Sequence, residues 1–152
     1  MQCEHFTDSL IYQMVQLTAY CHEQGEQYLK AINAGLTLDQ FAVLDVLTQN
    51  KGLCQMDLAK IILRDRVYTS RILSTLEEKN LIERKLETKG KRLVKGLYLT
   101  IDGEEIYAEL KCEIDEKFSK VFEEITDEEY SIISQGIQKM KDAISKYTIM
   151  PL

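Results

Sequence analysis

The sequence predicts a mostly α-helical domain with one small β-hairpin, an α+β fold with long helices at both ends of the chain. Three observations lead to this prediction. Apolar residues recur at steps of three, four or seven in both terminal thirds. The single proline is Pro151, so nothing along the chain interrupts a helix. Two runs of strand-forming residues flank the turn sequence TKGK at 88–91. At 152 residues, the chain has the length of one domain, or of one domain with extensions.

The first two helices are defined by an apolar stripe and by a capping signal. The stripe predicts a helix from about Thr7 to Ala34, and Gly35 can end it. The segment LTLDQFAVLDVLTQ follows, and its Thr37 and Gln40 form a capping box that begins a second helix. The sequence NKG at 50–52 stops that helix.

The next elements are two shorter helices and the hairpin. Residues 54–62 predict a third helix and residues 66–80 a fourth, which ends at Asn80 in a left-handed conformation. Residues 81–87 and 92–100 predict the two strands, with a bulge at Gly96. On the second strand, Leu93, Leu97 and Leu99 share one face, which we expect to pack on the helices.

After residue 100 the pattern is helical to the end of the chain. Apolar residues step by four from Ile106 to Phe122, and Thr126 with Glu129 forms a second capping box. From Tyr130 to Tyr147, apolar residues then alternate steps of three and four in a heptad-like seam. Such a seam is typical of a core or of a dimer interface.

Charge is distributed unevenly along the chain. The net charge is −6, yet residues 60–96 hold eleven Lys or Arg and only five Asp or Glu. A local basic patch is the electrostatic footprint of a nucleic-acid-binding surface, whatever the overall charge. A short helix, a turn, a second helix and a basic hairpin follow one another in the order of a winged helix-turn-helix. In that fold a helix enters the major groove of DNA and the hairpin reaches along the backbone.

The residues also resemble a family, the MarR-type winged-helix transcriptional regulators. The resemblance rests on LTLDQFAVLDVL, CQMDLAKII, SRILSTLEEKNLIERK and LYLTIDGEEIY, in consistent order over roughly residues 36–107. It implies a homodimer that binds a pseudo-palindromic operator in double-stranded DNA, as a repressor released by a small ligand or by thiol oxidation. It also implies an N-terminal dimerisation helix at 1–35, a DNA-binding lobe at 36–100 and C-terminal dimerisation helices at 101–152.

By this resemblance and by the clustered charge, the DNA-contacting residues lie at the start of the fourth helix and on the hairpin. Two departures from the family pattern concern this region. Gly90 stands where the family's hairpin usually has Asp, and Cys54 replaces the Ser or Thr that normally caps the third helix. The expected DNA-binding residues are Gln55, Arg64, Arg66, Tyr68, Thr69, Ser70, Arg71, Lys89, Lys91, Arg92 and Lys95.

An effector site is less well defined. The family binds small aromatic or anionic molecules between its dimerisation helices and its DNA-binding lobe. Tyr12, Tyr20, Tyr28 and Phe41 are candidates for such a cleft, and a place in the core is the competing interpretation for each. Cys54 is a candidate redox sensor, because a thiol at a helix N-terminus can react as the thiolate. An unreactive, half-buried cysteine is the competing interpretation.

Other classes of function find little support. We find no catalytic signature and expect no enzyme activity and no cofactor. Cys3 and His5 lie too far along a helix from Cys21 and His22 to share one metal ion. The chain holds no long apolar run and no basic, signal-like N-terminus, so we expect a cytoplasmic protein without a membrane partner. The alternative function is a winged-helix module that binds protein, without specific DNA binding.

Overall fold

The computed structural model describes residues 5–89 and 92–147, with Lys89 and Arg92 described for the backbone alone. It divides into two compact units, Met1–Glu104 and Glu105–Leu152. The predicted fold class is confirmed, since six helices accompany one two-stranded hairpin in these residues. In chain order, after a 3₁₀ turn at Phe6–Asp8, the elements are α1 (Leu10–Ala31), α2 (Leu38–Gln49), α3 (Gln55–Ile61), α4 (Arg66–Glu78), β1 (Ile82–Lys89), β2 (Arg92–Leu99), α5 (Ile101–Phe122) and α6 (Asp127–Tyr147).

The connection from α1 to α2 is set by caps and left-handed residues. The first helix ends at Ala31, before the predicted Ala34, because Asn33 has a φ of 53° and turns the chain away. The predicted capping box is confirmed: Gln40 N donates to Thr37 Oγ1 at 3.2 Å, and Thr37 N donates to Gln40 Oε1 at 3.1 Å. These bonds satisfy two of the free N–H groups at the start of α2.

The core of the first unit lies where α2, α3, α4 and the base of the hairpin meet. Its members are apolar, and most are leucines spaced three or four residues apart on their helices. Each fully buried side chain of this kind stabilises the fold by roughly 1.5–3 kcal/mol. The fully buried residues of these elements are Val43, Leu44, Leu47, Leu58, Leu73, Leu76 and Leu97, together with Thr69.

The hairpin runs in straight register, without the predicted bulge. Its pairs run continuously from Ile82 with Leu99 to Lys89 with Arg92, and Gly96 lies directly opposite Lys85. Gly96 instead permits a close backbone approach, since a Cβ there would lie 3.1 Å from the Cα of Gly52. Beside it, Leu97 N donates to the Leu53 carbonyl at 2.9 Å. The loop before α3 therefore forms a short bridge to β2, and the prediction of a bulge at Gly96 is wrong.

The hairpin packs against the helices at its base alone. Leu97 is buried and Leu99 is half-buried, as their predicted shared face requires. Leu93 lies farther along the same face but is 69% exposed, and Leu86 of β1 is 65% exposed. The expectation that Leu93 packs on the helices is therefore wrong, because the hairpin extends beyond the helices it rests on.

The second unit contains most of α5 and all of α6. The predicted capping box is confirmed at the start of α6, where Glu129 N donates to Thr126 Oγ1 at 3.2 Å and Thr126 N donates to Glu129 Oε2 at 2.9 Å. The rings of Phe122 and Tyr130 meet edge to face with centroids 5.7 Å apart. Among the described helices of the chain, none is both long enough and apolar enough to cross a membrane.

Candidate nucleic-acid interface

The start of α4 is fixed by its N-cap and by the turn that precedes it. The carboxylate of Asp65 accepts from the backbone N–H of Tyr68 at 2.8 Å. The preceding turn is tight, with Leu63 at a φ of 52° and Arg64 N donating to the Ala59 carbonyl at 3.0 Å. Together these contacts set the angle between α3 and α4, which is the angle of the helix-turn-helix.

One face of α4 is buried and the opposite face is open. Thr69, Ile72, Leu73 and Leu76 recur at helical spacing and pack into the core. The open face includes two arginines and several small polar residues, and it borders the first residue of α3. The residues that line this shallow groove are Gln55, Arg66, Val67, Ser70, Arg71, Ser74 and Thr75.

Thr69 does not belong to the open face. Its side chain is fully buried, and its hydroxyl donates to the Asp65 carbonyl at 2.8 Å. The prediction that Thr69 contacts DNA is wrong. Four consecutive residues from Tyr68 to Arg71 surround a helix of 3.6 residues per turn, so they cannot all face one ligand.

Arg64 and Tyr68, also predicted to contact DNA, are held by a carboxylate of α2. Arg64 Nη2 donates to Asp39 Oδ1 at 3.0 Å and to Oδ2 at 3.1 Å, and the Tyr68 hydroxyl donates to Oδ2 at 2.7 Å. The Arg64 guanidinium also lies 5.6 Å from the centre of the Tyr68 ring. We call these three residues the Asp39 cluster. It ties the first turns of α2 and α4 together.

The charges of the Asp39 cluster support one another. Burial opposes ionisation of Asp39, but hydrogen bonds from Tyr68 and Arg64 outweigh it and lower the pKa of Asp39 below its ordinary value of 3.8. The hydrogen bond to Asp39 raises the pKa of Tyr68 above 10.0, and the same partner raises the pKa of Arg64. At neutral pH the cluster therefore holds an ionised pair and a neutral phenol.

A second polar network joins the hairpin to the two helices of the motif. Arg84 of β1 donates from Nε to Glu77 of α4 at 2.9 Å and from Nη1 to Gln55 of α3 at 3.2 Å. The side-chain amide of Gln55 donates in turn to the Arg66 carbonyl at 3.4 Å. Gln55 thus lines the groove, but both ends of its amide already have protein partners.

The predicted basic tip of the hairpin is described in part. Lys91 lies outside the described residues, as does Gly90. The backbones of Lys89 and Arg92 pair with each other at the end of the ladder. Lys95 is exposed and lies opposite Leu86 in the register.

The aromatic residues proposed for an effector cleft are not brought together within one protomer. Tyr12, Tyr20 and Tyr28 lie on the continuous helix α1 at intervals of eight residues. At 1.5 Å per residue, Tyr12 and Tyr28 are about 24 Å apart. Tyr12 contacts the ring of Phe6 with centroids 5.5 Å apart, whereas Tyr20 is exposed. A single small molecule cannot contact all of them in one protomer.

Cys54 precedes the first residue of α3 but makes no side-chain cap bond. Its Sγ donates instead to Asp57 Oδ2 at 3.1 Å. Cys54 is half-buried and bonded to a side chain of the same turn, which agrees with the interpretation of Cys54 as a half-buried structural cysteine.

Three residues that position the site were missed by the sequence reasoning. Asp65 carried a recognisable signal, since an Asp directly before a helical pattern is a common N-cap. Asp39 and Arg84 carried no such signal, because their partners are distant in the sequence. Arg64, the partner of Asp39, is 25 residues away, and Gln55, the partner of Arg84, is 29 residues away. Contacts of that range arise from the tertiary fold.

A model of the MarR family matches residues 34–93, which contain α2, α3, α4 and most of the hairpin. No protein with a curated description matches the chain. Several solved structures do. The S. aureus MepR–DNA complex has a TM-score of 0.78 at 24% identity, over 92% of this chain and 99% of that one.

Two further structures extend the comparison. A MarR/EmrR family transcriptional regulator from Acinetobacter sp. ADP1 has a TM-score of 0.82 at 20% identity and covers 90% of this chain and 94% of that one. NadR in complex with 4-hydroxyphenylacetate has a TM-score of 0.73 at 26% identity and covers 92% of this chain and 96% of that one.

Proposed function

We propose that the chain is a winged-helix protein of the MarR type, and that it acts as a homodimeric, sequence-specific DNA-binding transcriptional regulator. One observation carries the proposal: the open face of α4 presents Arg66 and Arg71 beside small polar residues, while its opposite face is buried. Neither guanidinium forms an ion pair with any residue that the structure describes. Unpaired arginines on a convex helix suit phosphates and the edges of guanine.

The polar networks around α4 support the same function. Base readout requires a helix held at a fixed angle and depth. The Asp39 cluster holds the first turn of α4 to α2, and Arg84 holds the hairpin to α3 and α4. We therefore assign Arg64, Tyr68 and Gln55 a positioning role, and Arg66, Ser70 and Arg71 the direct contacts. Lys95 and the basic hairpin supply attraction to the backbone.

Dimerisation is supported by the seam on α6. Tyr130, Ile133, Ile137 and Ile144 are exposed and recur at steps of three, four and seven. An apolar stripe of this length on one helix suits a second copy of the chain. Two recognition helices would then meet the two halves of a pseudo-palindrome. Light scattering at micromolar concentration should report about twice the chain mass of 17.6 kDa.

We propose that the protein is a repressor released by a small molecule rather than by thiol oxidation. NadR was solved with 4-hydroxyphenylacetate, which makes a small aromatic anion the first effector class to test. Cys54, the redox candidate, is half-buried and hydrogen-bonded to Asp57, which limits its access to an oxidant. Addition of such compounds should weaken DNA binding, whereas treatment with peroxide should not.

The test of DNA binding begins with genome-wide mapping of bound DNA, followed by titrations of the recovered operator at several salt concentrations. Arg71→Ala should weaken operator binding by about 1–3 kcal/mol. Lys139→Ala removes the same charge from an exposed site on α6 and serves as the matched control. A salt-independent affinity, or an unchanged affinity in Arg71→Ala, would favour a protein-binding module instead.

A further inference from the structure

Val67 lies at the centre of the open face of α4. It stands one turn before Arg71 and two turns before Ser74, with Ser70 beside it. The buried residues Thr69, Ile72, Leu73 and Leu76 lie on the opposite side of the helix. The Val67 side chain is 64% exposed. It is thus an apolar group at the middle of a surface that is otherwise polar and basic.

Nothing in the first unit explains a valine at this position. Its exposed side chain contributes little to the core. A β-branched residue also lowers helix propensity relative to alanine, so the helix alone does not favour it. Tyr68, the other large side chain of this turn, is engaged with Asp39, which leaves Val67 as the apolar group that the first turn presents to a ligand.

The neighbours of Val67 define the ligand that it meets. Arg66 and Arg71 flank it, and both are exposed. A partner that satisfies two cations and a methyl-bearing side chain must be anionic at its edges and apolar at one point between them. The major groove of DNA has this character where a thymine occurs, because the C5-methyl of thymine is the apolar group on that edge.

We propose that Val67 reads the C5-methyl group of a thymine in each half-site, beside the base pair or phosphate that Arg71 contacts. The proposal rests on the function proposed above and specifies the DNA that the protein prefers. Val67 is then a specificity-determining residue. Other exposed apolar residues nearby, such as Ile61 at the end of α3, lie outside the groove of α4.

The test replaces thymine by deoxyuridine at each operator position in turn, on both half-sites together. This exchange removes one methyl group and keeps base pairing intact. For the wild type, one thymine position should respond, with a loss of about fourfold per half-site and roughly tenfold or more for both, as expected for one buried methyl group. The readout is the dissociation constant at fixed salt.

The variants assign that response to a residue. Val67→Ala should bind the thymine operator more weakly than the wild type does. This variant should also bind the thymine operator and the operator with deoxyuridine at the responsive position with equal affinity. Val67→Thr keeps one γ-methyl group and should show an intermediate response. Ile61→Ala should behave as wild type. Thermal unfolding should give all three variants a melting temperature close to that of the wild type, because the side chains of Val67 and Ile61 are exposed.

The outcomes separate this inference from the proposed function. If Val67→Ala keeps the wild-type thymine response while operator binding persists, the inference is overturned and DNA binding stands. If the wild type binds its mapped operator no better than random DNA, the proposed function itself fails. If Val67→Ala loses the thymine response while Ile61→Ala keeps it, the result supports both the inference and the proposed function.

Discussion

The two units of the chain use apolar residues in opposite ways. In Met1–Glu104, leucines of α2, α3 and α4 are fully buried and form a core. In the described part of the second unit, residues 105–147, Leu110 is the only buried apolar side chain, while isoleucines and aromatic residues of α6 are exposed. The first unit therefore has the means to fold by its own packing. The second exposes the apolar seam on which the proposed dimerisation rests.

The largest effect should come from breaking the seam of the second unit. Ile133→Asp together with Ile137→Asp places charge at two seam positions. We expect the dimer dissociation constant to rise by at least about a thousandfold, or roughly 4 kcal/mol, because two apolar contacts are lost in each protomer. Analytical ultracentrifugation measures this directly, and operator affinity should fall to that of a single half-site.

A matched control for the seam lies on the same helix. Ile132 is 64% exposed, more than the seam residues Ile133 and Ile137, and it lies off the heptad-like spacing. Ile132→Asp should leave the dimer nearly unchanged. Equal dissociation by both variants would show that α6 associates through another face.

The next largest effect concerns the core of the first unit. Leu73→Ala should lower the free energy of unfolding by about 2–5 kcal/mol, because it leaves a cavity at a fully buried position of α4. Urea unfolding followed by circular dichroism provides the measurement. Ser74→Ala, the next residue on the open face, should change stability by less than about 0.5 kcal/mol. Similar effects of the two would contradict the assignment of the helix faces.

The Asp39 cluster should contribute less than the core, because it is partly exposed. Asp39→Ala removes the carboxylate that accepts from both Arg64 and Tyr68, and we expect a loss of about 1–2 kcal/mol in unfolding free energy. Operator affinity should fall as well, since the first turn of α4 is no longer held to α2. An unchanged affinity with reduced stability would limit the cluster to a structural role.

The same carboxylate makes stability depend on pH. Since the folded pKa of Asp39 lies below its ordinary value of 3.8, the ionised group stabilises the fold above about pH 4. This contribution is lost as the pH falls through the lowered pKa. Asp39→Asn should therefore show a shallower loss of stability between pH 5 and pH 3 than the wild type. Parallel acid curves would mean that Asp39 is not the group responsible.

The smallest effect concerns Cys54. Its sulfur makes no cap bond at the start of α3, whereas a serine oxygen accepts from the free backbone N–H groups there. Cys54→Ser should raise the free energy of unfolding by about 0.5–1 kcal/mol and leave DNA binding unchanged. A loss of peroxide response in this variant would instead restore the redox hypothesis.

The sequence predicted the helices and both capping boxes because these depend on residues within one or two turns. Thr37 with Gln40 and Thr126 with Glu129 are three residues apart, and the structure confirms both pairs. The role of Gly96 could not be predicted from the residues around it. Its role depends on the approach of Gly52, which is 44 residues distant in the chain and invisible to strand patterns.

The sequence singled out the start of α4 as the candidate site, but it did not show which residues there face outward. Runs of polar residues at the start of α4 looked alike in the sequence, although Thr69 is buried and Arg71 is open. Val67, which we propose as a contact, was not among the expected residues because a lone valine carries no charge signal. The different roles proposed for Arg64 and Arg66 depend on Asp39, which binds Arg64 and lies on another helix.

The turn between α3 and α4 offers a site for engineering a variant for crystallisation. Leu63 is left-handed and 58% exposed, so it carries backbone strain and places an apolar group in water. Glycine adopts that conformation freely. Replacement of Leu63 by glycine would relieve the backbone strain and remove an exposed apolar side chain in one step, without altering the open face of α4. The turn is thus a natural starting point for a variant made for crystallisation.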